Sequence, residues 1–417
     1  MNSLNVSKSL ALLPKVESII PYASQTFSKG YRYFPLGVSP IFFQKARGSL
    51  VEDVDGNRYI DWVCGLGPIT LGWNNHTVNH AIEAQLKDGI TFSLPHPLEY
   101  EVAKELTEII PSAEMVRFCK TGSEATQAAI RAARAVTGRY HIAFWGYHGW
   151  HEWYACSTER NGGIPPEYAQ YMHPFQYNNL KSLENILNKH ECAAVIMEPM
   201  TTTEPDALFL SGVQDMARHY GAVLIFDEMV TGFRWDLGGA QRLFNITPDM
   251  STFGKGIANG MPLACVVGSK KYMSAFNDVF FSGTFSGECL SLAAALATIR
   301  VMRTKPVNHH IWDIGNRLRE QLEDGNFETS GYSCRFAITT KFTEEEKALF
   351  LQEVFRHGVF VHSSLVLNTS FAHSVSDADY SASVMVRALN VVEGARRKGT
   401  VKDLLQGQVT QSAFRRL

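Results

Sequence analysis

Ala222-Val223-Leu224-Ile225-Phe226-Asp227-Glu228-Met229-Val230-Thr231-Gly232-Phe233-Arg234 is the stretch on which the reading of this chain turns. Its first five residues are apolar without alternation and too few for a helix, so they read as a strand buried on both faces, the kind found in helix-clad parallel sheets. Similar short runs occur at Met115 to Cys119, Ile142 to Trp145, Ala193 to Met197 and Leu263 to Val267. Between them lie Glu124 to Val136, Leu180 to Lys189 and Val213 to His219, amphipathic or alanine-rich stretches of a length that suits crossover helices. The alternation predicts an α/β domain with a mostly parallel central sheet.

The termini read differently. Arg47 to Trp62 has Asp55-Gly56-Asn57 between two alternating runs, which is hairpin chemistry. Beyond about residue 305 come a helix at Trp312 to Leu322, short strands near Ser333 to Thr339 and Gly358 to His362, and a last helix from about Asp377. The expected organisation is an N-terminal segment 1–60, a large domain 61–305 and a C-terminal part 306–417. Both termini then build one small α/β domain beside the large one.

Composition narrows the function. The 417 residues carry 39 Lys+Arg against 41 Asp+Glu, a net charge of −2, so no broad field favours nucleic acid or an anionic membrane. No apolar run approaches the ~20 residues of a membrane span, and Pro14, Lys15 and Glu17 interrupt the only leader-like stretch. The seven cysteines are scattered with no CxxC pair, which argues against a disulfide framework and a structural zinc site. A cytoplasmic protein with no metal is expected.

Four places carry candidate chemistry because each follows an expected strand, where ligands of parallel sheets gather. Thr121-Gly122-Ser123-Glu124-Ala125 opens an alanine-rich helix and suits a phosphate cradle, or is an ordinary helix cap. No Gly-Lys-Ser/Thr follows, so it is not a nucleotide P-loop, and Gly65-Leu66-Gly67 lacks the third glycine of a dinucleotide fingerprint. Gly146-Tyr147-His148-Gly149-Trp150 offers an aromatic ring on a glycine loop, for a planar ligand or for the core. Asp227 places a carboxylate at the end of an apolar strand, where it needs a cation or donor such as a protonated pyridine nitrogen. Here the plain structural reading is a helix cap or a salt bridge, and Glu228 is read by preference as an ion-pair partner of Arg234. Thr252-Phe253-Gly254-Lys255-Gly256 sets a lysine between glycines, the pattern of an amine presented into a cleft, though a single lysine is usually a solvated surface group.

In that order these are the parts that hold pyridoxal 5′-phosphate (PLP). The sequence resembles the class III aminotransferases, nearest to the glutamate-1-semialdehyde 2,1-aminomutase branch. The likeness runs from Asp53-Val54-Asp55-Gly56-Asn57-Arg58-Tyr59-Ile60-Asp61 through Glu114 to Phe118, Tyr147-His148-Gly149 and Asp227 to Arg234, ending at Ala372-His373. It implies a PLP-dependent transferase fold of the aspartate aminotransferase type (fold type I). It also implies that Lys255 forms the Schiff base and shuttles the proton, and that Asp227 keeps the pyridine nitrogen protonated. Tyr147 would stack on one ring face, with His148 beside it, and Met229 would pack on the other. Gly122 and Ser123 would hold the phosphate. Gly283-Thr284-Phe285-Ser286-Gly287 resembles the stretch that lends a threonine to the neighbouring subunit's phosphate, so Thr284 implies a homodimer with shared sites.

Departures from the aminomutase pattern bear on the substrate. The segment Gly37 to Phe43, where the aminomutases carry a carboxylate-binding arginine, is apolar here, and no arginine lies between Arg32 and Arg47. Leu66 stands where a tryptophan is expected, and Val230 where many class III transaminases place glutamine. The expected activity is therefore amino transfer from a donor such as glutamate to an aldehyde or ketone recognised otherwise than by an α-carboxylate, a sugar or specialised-metabolite carbonyl among them. Trp150, His151, Trp153 and His96 are candidate pocket walls or plain packing residues. The alternatives are an intramolecular aminomutase and a PLP-binding protein without turnover.

Overall fold

The computed structural model describes residues 4–409. Two compact units are distinguishable. One is made of the chain up to Leu66, Leu71–Asn75 and the chain from His309, the other of Gly67–Thr70 and His76–Asn308. Along the chain the strands are β1 (Phe43–Arg47), β2 (Leu50–Asp53), β3 (Arg58–Asp61), β4 (Met115–Cys119), β5 (His141–Trp145), β6 (Met172–Pro174), β7 (Cys192–Met197), β8 (Val223–Asp227), β9 (Met250–Phe253), β10 (Ala264–Gly268), β11 (Glu328–Tyr332), β12 (Arg335–Thr339), β13 (Val359–Phe360) and β14 (Val366–Asn368).

The larger unit is organised by a seven-stranded sheet of order β4-β10-β9-β8-β7-β5-β6. All its neighbouring pairs are parallel except the two made by β10, which runs antiparallel to both β4 and β9. Every residue of β7 and β8 is buried, and the pleat sends alternate side chains to opposite faces. Ile142, Phe144, Ala194, Ile196, Val223 and Ile225 meet the alanine face of the Gly122–Thr137 helix, namely Ala125, Ala128, Ala129, Ala132 and Ala133. Ala143, Val195, Met197, Leu224 and Phe226 meet Leu183 and Leu187 of one helix and Val213 and Ala217 of another. Alanine lets the first helix lie close on the sheet, and the continuous apolar character of the strands follows from burial on both sides.

Two strands escape the hydrophobic pattern. β6 is a three-residue edge ending at Pro174, which has no N–H to extend a ladder. β9 reads Met-Ser-Thr-Phe, yet Ser251 and Thr252 are fully buried. They are tolerated there because the Ser251 hydroxyl bonds Ser112 and Gln241, and that of Thr252 donates to Asp227.

The smaller unit contains the sheets β1-β2-β3-β13 and β11-β12-β14. The Asp55-Gly56-Asn57 turn joins β2 to β3, with the Asp53 carboxylate accepting from the amides of Asp55 and Asn57. Helices Val307–Asp324, Glu344–Arg356 and Val375–Lys398 pack their apolar faces with these sheets into one core that includes Leu318, Phe336, Phe350, Phe355 and Met385. No helix among the described residues is long and apolar enough to cross a membrane.

Close approach explains one helical glycine. A Cβ on Gly315 would fall 1.9 Å from the Ser333 carbonyl oxygen. Gly315→Ala would add about 1 kcal/mol of helix propensity, but the forced displacement costs more, since overpacking runs about 1–3 kcal/mol and this neighbour is backbone. We expect a net loss of about 1–2 kcal/mol in denaturant unfolding; unchanged or raised stability would show that helix and hairpin part without penalty.

Candidate functional site

The chemistry-bearing residues of the larger unit lie just past the carboxyl ends of β5, β8 and β9 and at the start of the helix after β4, the positions where parallel sheets bind ligands. β8 is the middle strand of the seven, and its last residue is Asp227, 2% exposed. A carboxylate so desolvated must be satisfied by donors. Asp227 Oδ1 accepts from the Met229 amide at 3.1 Å and the Thr252 hydroxyl at 3.3 Å, and Oδ2 lies 2.8 Å from His148 Nδ1.

His148 is itself 1% exposed, and its Nε2 sits 3.0 Å from the Trp145 carbonyl oxygen. That oxygen can only accept, so Nε2 carries a hydrogen, while Nδ1 shares a hydrogen with Asp227. Trp153 stacks on the imidazole at 5.9 Å and Tyr154 meets it edge-on at 5.5 Å. The histidine thus lies behind the carboxylate and fixes its direction.

Glu228 does not form the ion pair read from the sequence. Its carboxylate accepts from the Thr231 hydroxyl, the amides of Ala240 and Gln241 and the Gln241 side chain, while Arg234 donates to the Gly67 carbonyl at 2.9 Å. Glu228 is a cap for the short Ala240–Leu243 helix. Complete burial pushes its pKa up, partly offset by these donors.

Around Asp227 the chain packs closely. The Met229 sulfur sits where a Cβ on Gly122 would come within 2.9 Å and one on Gly254 within 2.7 Å. Met229 is therefore wedged between the helix start and the loop that leads to Lys255. Lys255 follows Gly254, stands three residues past Thr252, the β9 partner of Asp227, and opens a short 3-10 turn. Its φ of 44° is in the left-handed region, where a non-glycine residue is strained and where functional side chains collect. The lysine is half-buried.

The helix start carries a capping box: the Thr121 hydroxyl takes the Glu124 amide, and the Glu124 carboxylate takes the Thr121 amide. This leaves the amides of Gly122 and Ser123, at the positive end of a 16-residue helix, for an incoming anion. The buried Ser123 hydroxyl accepts from the Trp150 amide at 3.2 Å, and Thr126 donates to the His148 carbonyl at 2.8 Å, so the helix start and the loop after β5 are tied together. Tyr147, on that loop, gives its amide to Glu198 at 2.7 Å and meets Tyr154 edge-on at 5.6 Å.

Thr284 lies apart, exposed on a loop that also exposes Phe280 and Phe285, and makes no hydrogen bond among the described residues. Of the candidate pocket walls, Trp153 is core beneath His148, and His96 caps the Pro97–Ile109 helix by accepting from Leu98 while stacking on Phe92. Trp150 is 72% exposed and meets His151 edge-on. Glu198 and Thr252 were missed as supports of Tyr147 and Asp227. Glu198 had a readable signal, since it ends the apolar run of β7 as Asp227 ends that of β8; Thr252 had none, lying in a polar strand.

The contact between Gly149 and Ser123 yields a test. Gly149 has φ +98°, and a Cβ there would lie 2.2 Å from the Ser123 hydroxyl. Gly149→Ala should break the Trp150–Ser123 bond and speed amide hydrogen exchange across 146–152 by about tenfold or more, tenfold corresponding to about 1.4 kcal/mol; unchanged exchange would show the contact to be loose.

The family model for class-III aminotransferases matches residues 33–364. Over 414 residues the chain is 36% identical to the 3-aminobutyryl-CoA aminotransferase of Cloacimonas acidaminovorans, an alignment covering 94% of this chain and 98% of that protein. Over 302 residues it is 40% identical to the glutamate-1-semialdehyde 2,1-aminomutase of Halobacterium salinarum, covering 68% of each. Its fold superposes with a TM-score of 0.88 on the PLP internal aldimine form of the FumI protein of Sphingopyxis sp. MTA144, at 27% identity and covering 96% of this chain and 98% of that one.

Proposed function

This chain belongs to the class-III aminotransferase family, and on that premise we propose which carbonyl compound it aminates and which residues do the work. The chain is a PLP-dependent enzyme of amino transfer. Its residues fit the cofactor: two uncommitted amides at a helix N-terminus for the phosphate, and a buried carboxylate three residues in register from a strained lysine. When bound, PLP supplies a protonated ring into which electrons from the substrate carbon are drawn.

Lys255 would supply the amine that holds the cofactor and the base that moves the substrate proton, and its position on a left-handed residue between glycines restricts where that amine can point. Asp227 would keep the pyridine nitrogen protonated, its carboxylate held in place by His148, Thr252 and the Met229 amide. Gly122 and Ser123 would hold the phosphate through their amides, and Tyr147 and Met229 would pack against the ring. Thr284 would serve the phosphate site of a second copy, which would give its exposed loop, with Phe280 and Phe285, a surface to cover.

The acceptor is a ketone or aldehyde whose carboxyl group is absent or masked, and a 3-oxoacyl thioester is the class best supported. The observation that carries this is the absence of any arginine between Arg32 and Arg47. A free carboxylate calls for a fork of donors, whereas a thioester has no charge there to pair. The relative that aligns over nearly its full length bears the name of an enzyme acting on a CoA thioester. The identity to aminomutases, over 68% of the chain in one relative and 84% in another, supports a second reading, intramolecular transfer.

A panel separates these. With glutamate as donor, a 3-oxoacyl-CoA should be aminated at least tenfold faster, by kcat/KM, than the corresponding free 3-oxo acid. Amination of keto sugars in preference to both would overturn the thioester assignment, and rearrangement of glutamate-1-semialdehyde with no external donor would establish the aminomutase instead.

A further inference from the structure

Three histidines outside this site meet at the opposite edge of the same sheet. His141 is the first residue of β5, His173 stands in β6, and His190 ends the Leu180–Lys189 helix two residues before β7. These strands are parallel, so the cluster sits at their entry ends, whereas Tyr147 and Asp227 lie at exit ends. The Nδ1 of His141 is 3.0 Å from the Nε2 of His173. The rings of His173 and His190 stack at 3.9 Å with 14° between their planes, and His141 and His190 are 4.7 Å apart by ring centre. One ring nitrogen from each residue lies within 4.8 Å of the other two.

Packing alone is a poor reason to gather three imidazoles. Burial, followed by repulsion against any proton on His190 or His141, pushes His173 down to about 4, and burial followed by His190 lowers His141 as well. Among the described residues no carboxylate pairs with any of the three, and the positive charge of Arg134 faces His141. Both shifts favour the neutral imidazole at His141 and His173, the form whose lone pair binds metal. All three are only half-buried, so an ion has access.

The spacing fits as well. With Zn–N bonds of about 2.0–2.1 Å in a tetrahedral site, ligating nitrogens stand about 3.3 Å apart. The His141–His173 pair is already near that separation, and His190, with a ring nitrogen within 4.8 Å of both, would have to turn its ring out of the stack on His173 to complete the set. We propose that His141, His173 and His190 form a binding site for a divalent late first-row transition ion, Zn2+ foremost, with three imidazole ligands and a fourth position open to water. Three neutral nitrogen donors suit zinc, copper(II) and nickel and reject magnesium and calcium. The ion ties the three-residue edge strand β6 to β5 and to the entry of β7, so its binding stabilises the fold by linkage and leaves amino transfer to the other end of the sheet.

The test uses tag-free holoenzyme dialysed against chelator and titrated with Zn2+ by calorimetry, with Co2+ as a spectroscopic probe whose visible bands lie to the red of the cofactor. We expect one ion per chain, a rise in thermal midpoint that chelator reverses, and at least tenfold weaker binding in His173→Ala and in His190→Gln. His219→Gln, an exposed histidine outside the cluster, should bind as the parent does. His190→Gln keeps the test decisive if His173→Ala fails to fold, because His190 lies at a helix end rather than in a strand. Absence of uptake by the parent protein, or uptake undiminished in His190→Gln, would overturn the site.

Discussion

A carboxylate at the end of a buried strand needs a charged or donating partner, and much of the larger unit is arranged around meeting that need at Asp227. β8 is apolar up to its last residue because helices cover both faces of the sheet, so the chain delivers Asp227 into a place where water cannot serve it. His148, Thr252 and the Met229 amide serve it instead. Each comes from a different segment, and each segment carries another part of the site: Tyr147 beside His148, Lys255 after Thr252, and Met229 itself. Satisfying one buried charge thereby brings together the residues proposed to hold the cofactor.

Steric limits complete the arrangement. Met229 occupies the space that side chains on Gly122 and Gly254 would fill, and Gly149 lets the Tyr147 loop approach Ser123. These glycines fall in the two loops and the helix start that converge around Met229 and Ser123. Their role is to let backbone segments converge, which is why so many of them stand next to functional residues.

How much of this was legible depends on whether a physical signal was local. The strands at 142–145, 193–197, 222–226 and 263–267 were readable because two-sided burial leaves a run of apolar residues in the sequence, whereas 115–119 is an edge strand, exposed at Met115 and Arg117, that was legible only by its short apolar character. β9 was not, since Ser251 and Thr252 are buried through hydrogen bonds to partners far along the chain. The burial of Asp227 at a strand end and the placing of Lys255 in a glycine turn were readable from what surrounds them, whereas the support of Asp227 by His148 depends on a contact across 79 residues. Glu228 was misread because opposite charge six residues on suggests a pair, while the backbone instead turns the amides of Ala240 and Gln241 toward it. The histidine cluster draws on three elements and has no signature in spacing.

The charge of Asp227 is the claim on which the account stands. The most direct measurement is kcat for Asp227→Asn, made on protein shown by absorbance after gel filtration to retain its cofactor. Asparagine keeps the shape and an acceptor oxygen but removes the charge that holds the ring nitrogen protonated. The account predicts a fall of about 10²–10³-fold, the scale on which preorganised electrostatic groups act. A rate within a few-fold of the parent, with the cofactor in place, would contradict it.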